Sequence, residues 1–114
     1  MSEQSSERQV WNKADALGRL MNNETLVAKV AAMYVSTTPA QLDALKTAIG
    51  QGNCEEASAI AHTLKGASAN LGGEQMADLC AAIEQAAKEG NPVVVSRLAI
   101  DLDASHQRLL AALG

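Results

Sequence analysis

From residue 10 onward, stretches of helical periodicity alternate with short breaks. Val10, Ala14, Leu17 and Met21, with Trp11 beside them, suit a short first helix. Asn22-Asn23 breaks it and offers an N-cap to a second helix over about Glu24–Ser36. Leu26, Val30 and Met33 share one face of that helix, and Val27 and Tyr34 adjoin it. Thr38-Pro39 reads as a cap followed by a first-turn proline. Helix therefore starts there, as a new element or as a bent continuation, with Leu42, Leu45 and Ile49 inward until Gly50-Gln-Gly52 ends it.

Asn53 caps the next helix, and Glu55 and Glu56 sit in its first turn, where the helix dipole favours acids. Its apolar positions are Ala57, Ile60, Leu64, Ala67 and Leu71, and Gly72-Gly73 closes it. Another helix covers Glu74 to about Lys88, with Met76, Leu79, Cys80, Ile83, Ala86 and Ala87 inward and Gly90 as its stop. Asn91-Pro92 restarts the chain for a last helix carrying Val95, Leu98, Leu102, Leu109 and Leu113. The β-branched run Val93-Val94-Val95 is its least helical stretch. Four amphipathic helices joined by short connections predict an all-α, antiparallel up-down four-helix bundle, with the short first helix lying across one end. Residues 1–9 are polar and expected to be flexible. Residues 10–114 are expected to form a single domain, with neither repeat nor linker.

Composition narrows the function. A chain of 114 residues supports one core. Aromatic residues make up 2%, which disfavours a β-sandwich or barrel and removes base-stacking platforms. The formal charge of −4 lacks the basic face that nucleic acid requires. No apolar run approaches the ~20 residues of a membrane span, and the start of the chain has no signal-peptide pattern, so no direct membrane contact and a cytoplasmic location are expected. In that setting Cys54 and Cys80 read as reduced thiols, with Cys80 on an apolar stripe as a small core residue.

One residue stands on the wrong face for a core. The five apolar positions between Ala57 and Leu71 cluster within about 80° of arc, and His62 projects about 170° from their centre. Its neighbours on the outer face are Glu55, Ser58, Ala59, Lys65, Gly66 and Ala69, most of them small where an exposed face usually carries long charged side chains. A glycine inside a helix costs ~1 kcal/mol relative to alanine, and no kink or cap is evident at Gly66. Close approach by another molecule accounts for it. An imidazole is nucleophilic near neutral pH. A lysine three residues on can reach an anion held on that imidazole. His106, in line with Leu102, Leu109 and Leu113, reads instead as a partly buried structural histidine.

His62-Thr-Leu-Lys65-Gly66, with Gly72 ten residues after the histidine, resembles the signature of histidine phosphotransfer (HPt) domains of bacterial phosphorelays. The resemblance extends from about Trp11 to Leu113. It takes in Ala61, the Asn70-Leu71-Gly72 turn and the Leu79…Ile83-Glu84 pattern. It implies a four-helix bundle whose exposed histidine carries a phosphoryl group on Nε2. Lys65 matches the lysine that stabilises the phosphate. Gly66 matches the glycine that clears the docking surface, and Gly72 the turn glycine. Glu84 matches a position that often bonds the histidine through Nδ1. Independently, Glu84 lies on the flank of its own apolar stripe, where it can lean toward a neighbouring helix.

The expected function is a phosphorelay intermediate. His62 takes a phosphoryl group from a receiver-domain aspartyl phosphate and passes it to the aspartate of another receiver. The resemblance implies as partners the receiver domains of hybrid sensor kinases and response regulators. Ser58, Ala59, Gly66 and Ala69 are the expected docking residues. There is no P-loop or Gly-rich kinase loop, so no ATP-dependent activity and no cofactor of its own are expected, Mg²⁺ belonging to the partner receiver. A monomer is expected. A helical adaptor without phosphoryl chemistry is the alternative; it accounts for the bundle but not for the His-Lys-Gly face. A metal site built on His62, Glu84 and Glu55 is disfavoured, because bundle ligands usually point inward in Glu-x-x-His pairs.

Overall fold

The computed structural model describes residues 8–114. Five helices follow in order: α1 (Lys13–Arg19), α2 (Glu24–Gly50), α3 (Cys54–Leu71), α4 (Glu74–Lys88) and α5 (Pro92–Leu113). The side chains of Asn12, Asn23, Asn53 and Asn91 accept from the backbone N–H of Asp15, Leu26, Glu56 and Val94, so four of the five helices begin on an asparagine cap. Such a cap contributes about 1 kcal/mol over alanine. The fifth, α4, follows Gly72, whose φ of 87° is the left-handed conformation that ends α3.

The short connections make α2 to α5 antiparallel neighbours. α3 packs between α2 and α4, and α5 closes the bundle against α4 and α2. Leu45, Leu64, Leu71, Met76, Ile83, Leu102 and Leu109 are fully buried where the four meet. α1 lies across the end of α3 and α2. This is the expected four-helix bundle with a short additional N-terminal helix.

Several positions differ from the sequence expectation. α2 runs unbroken through Pro39, so the segment continues the second helix and is not a new one, and Thr38 is a buried helical residue instead of a cap. Met33, expected inward, is 65% exposed; Tyr34 is the buried residue, its hydroxyl 2.7 Å from Ser68 Oγ. In α1 the buried residue is Ala16 and not Ala14. Met21 is 80% exposed, because α1 ends at Arg19 and Met21 and Asn22 take positive φ. The α3 stripe is Ala57, Ala61, Leu64, Ser68 and Leu71. Ala67 is exposed and Ile60 half-buried; Ser68 takes the inward place because Tyr34 satisfies its hydroxyl.

The expected flexible segment 1–9 lies outside the described residues up to residue 7. Its last two residues are tied down. Arg8 pairs with Asp78 at 2.7 Å, and the Gln9 N–H donates to Glu74 Oε1 at 2.9 Å. The chain then lies on the α3–α4 turn. Trp11 Nε1 donates to the Leu71 carbonyl, and the Asn12 N–H to the Gly72 carbonyl at 2.7 Å. The Asn12 carbonyl presses so closely on Gly72 that a side chain there would collide with it.

Candidate functional site

His62 projects from the middle of α3. Measured from the centre of the buried stripe, it lies about 140° around the helix, on the side of α4. The 170° of the apolar pattern was too large because Ala61 and Ser68, not Ile60 and Ala67, define the inner face. The His62 side chain remains 67% exposed.

Opposite it on α4, Glu84 has a side chain only 10% exposed. A carboxylate so buried needs partners, and three groups supply them. His62 Nδ1 is 3.0 Å from Glu84 Oε2. Lys65 Nζ donates to Oε1 at 2.9 Å. Lys88 Nζ lies 3.3 Å from Oε2. The hydrogen bond from Lys65, helped by Lys88 and His62 against the opposing effect of burial, holds the Glu84 carboxyl down to about 2. Glu84 is therefore ionised and can only accept. The hydrogen-bond network then assigns the ring hydrogen of neutral His62 to Nδ1. The lone pair falls on Nε2, at the far edge of a largely exposed ring.

The surrounding strip is small and open. Ala59 and Gly66 are exposed, and Ser58 and Ala69 half-buried. A Cβ placed on Gly66 would meet nothing within 4 Å, so nothing inside the fold requires glycine there. His106 is 5% exposed beside Leu102 and Leu109 in the core, where burial pushes its pKa below the ordinary value. A surface groove lined by Trp11, Val27, Ala31, Val35 and Leu113 among others includes none of the site residues.

Sequence reasoning missed Lys88. Its signal was the four-residue spacing from Glu84, which places both side chains on one face of α4. Glu55, considered with His62 and Glu84 as a metal ligand, is exposed near the start of α3. Among the described residues no group of three His, Cys, Asp or Glu side chains could hold a metal ion. Both oxygens of Glu84 are engaged by ammonium groups.

Comparison with protein-family models matches the Hpt domain over residues 29–112, well over half of the chain. The chain belongs to the Hpt domain family, the histidine phosphotransfer modules that work with receiver domains in phosphorelay signalling. His62, Lys65, Glu84 and Lys88 all fall within the matched segment. Comparisons with curated proteins and with solved structures returned no significant match. No helix is long and apolar enough to cross a membrane among the described residues.

Proposed function

We propose that His62 carries the phosphoryl group, taking it from the aspartyl phosphate of one receiver domain and passing it to the aspartate of another. The observation that carries this reading is the His62–Glu84 pair. A buried, ionised carboxylate holds Nδ1–H at 3.0 Å and leaves the Nε2 lone pair on the exposed edge.

The Nε2 lone pair forms the N–P bond as the P–O bond of the aspartyl phosphate breaks. The receiver carboxylate leaves with the bonding electrons. The ring keeps its Nδ1 hydrogen and becomes cationic, and Glu84 Oε2 faces that charge. Return transfer reverses each movement. Such transition states are loose and highly charged, so positioning and neutralisation dominate. Lys65, one turn from His62, neutralises the phosphoryl oxygens. In-line transfer needs the reacting atoms about 3–3.5 Å apart, and the strip of Ser58, Ala59, Gly66 and Ala69 lets a receiver come that close. The domain acts as a cytoplasmic monomer with no cofactor or ATP chemistry of its own, and the receiver supplies Mg²⁺.

Incubation with a ³²P-labelled phosphoreceiver tests the assignment. The parent protein and His106→Gln should take up acid-labile label, and His62→Gln should take up none while keeping its melting temperature. Label retained by His62→Gln would refute the assignment. An unlabelled parent would favour the adaptor reading.

A further inference from the structure

Glu84 has more cationic partners than a single buried carboxylate needs, and the two lysines occupy different places. Lys65 lies on α3, three residues from His62, on Oε1 of the carboxylate. Lys88 lies in the last turn of α4, 61% exposed, on the same Oε2 that faces His62 Nδ1. A phosphoryl group on Nε2 brings on the order of two negative charges to the outer edge of the ring. Lys65 is the lysine on the histidine's own helix, and engaging those charges draws it off Glu84. Glu84 then loses the hydrogen bond that contributes most to keeping it ionised. A nine-tenths buried carboxylate left with the ring of His62 as its one other cation is less firmly held in its ionised form and in its place. Lys88 stands on the other side of the carboxylate and shares α4 with it, so its contact is independent of the phosphoryl group.

We propose that Lys88 is a positioning residue for phosphoryl transfer: its ammonium group keeps Glu84 ionised and aimed at His62 Nδ1 while Lys65 is engaged with the phosphoryl group. The proposal rests on His62 being the phosphorylated residue. It makes the two lysines unequal in time. Before phosphorylation either one suffices to hold Glu84. Afterwards Lys88 is the ammonium group left on it.

The test compares the full chain with Lys88→Met and Lys88→Arg, each labelled on histidine with phosphoramidate. ¹⁵N–¹H spectra of the His62 ring are recorded before and after labelling, and transfer to a receiver is timed. Before labelling, parent and Lys88→Met should both show the Nδ1–H tautomer, because Lys65 still holds Glu84. After labelling, the parent should keep a slowly exchanging Nδ1–H. Lys88→Met should lose it to solvent exchange and transfer about tenfold more slowly, the kinetic equivalent of one charge-assisted contact. Lys88→Arg should restore both. A merely structural lysine at the end of α4 would move the melting temperature but not the ring signal. If phosphorylated Lys88→Met keeps both the protected Nδ1–H and the parental transfer rate, the proposal is overturned while the His62 assignment stands. If the parent itself takes no label on His62, both fall together.

Discussion

Gly66→Leu should raise stability and lower function. Leucine is the better helix former by roughly 0.8 kcal/mol at an exposed interior position. A Cβ at residue 66 meets nothing within 4 Å, so no overpacking cost offsets that gain. For a domain of this size the melting temperature should rise by about 3–6 °C. The new isobutyl group stands one turn from His62 on the strip assigned to the receiver. Forcing such a group into a close-packed contact costs about 1–3 kcal/mol, a drop of about 5- to 150-fold in the transfer rate. Phosphoramidate needs little room and should label His62 in the variant as fast as in the parent. Gly66→Ala should share the stabilisation and lose much less of the transfer. The assays are a thermal melt by circular dichroism and the timed loss of label from a phosphoreceiver. A leucine variant that is stabilised yet exchanges phosphoryl groups with a receiver at the parental rate would refute the docking strip. A destabilised one would refute the reading of open space around Gly66.

Three other outcomes can be checked with the same assays. Lys65→Ala should slow transfer from a receiver by about 10²-fold without abolishing it, since removing one electrostatic donor typically costs that much; an unaltered rate would leave Lys65 only a counter-ion of Glu84. Gly72→Ala should destabilise by about 2–4 kcal/mol in urea unfolding, because it adds a left-handed side chain to a collision with the Asn12 carbonyl. Burial lowers the His106 pKa from its ordinary 6.5, so the unfolded chain binds the proton first. Stability should therefore be level from about pH 6.5 to about pH 8 and fall as the pH drops below about 6.5, and His106→Gln should flatten that slope. Glu84, held at about 2 against an ordinary 4.5, loses its stabilising contribution only as pH falls below about 4.5, so it adds no slope between pH 5 and 8.

The helical bundle was legible because the signals that make helices are local. The asparagines at 23, 53 and 91 bond N–H groups three residues ahead, so capping needs nothing from the rest of the fold. What failed was the reading of rotation, where polarity misleads. Ser68 counts as polar in sequence yet is fully buried, because Tyr34, 34 residues away, completes its hydrogen bond. Missing that bond tilted the inferred inner face of α3 toward Ile60 and Ala67. Met33 failed in the opposite way: it is apolar and in phase with Leu26 and Val30, but the core lies on the side of Tyr34. At the site, His62, Lys65 and Gly66 share one helix, and their spacing alone placed them together. Lys88 joins them only through Glu84, across a helix–helix contact that no single periodicity reveals.

Pro39 divides α2 into unequal halves. Beyond it, Leu42, Leu45 and Ala48 are buried in the central cluster. Before it, Tyr34 is the one buried member of that cluster, Val30 and Ala31 pack against it half-buried, and Val27 and Thr38 are the other buried side chains. Proline has no N–H, so the hydrogen-bond ladder of α2 is already interrupted at this point. Amide protection should step down across it, with the segment from Glu24 to Val35 opening at lower free energy than α3 and α4. His62, Lys65, Glu84 and Lys88 all belong to α3 and α4, the most extensively packed pair in the molecule. Sub-global opening of α1 and the first half of α2 would thus leave the His62 face assembled, with the segment expected to open first separated from the residues that must hold their geometry.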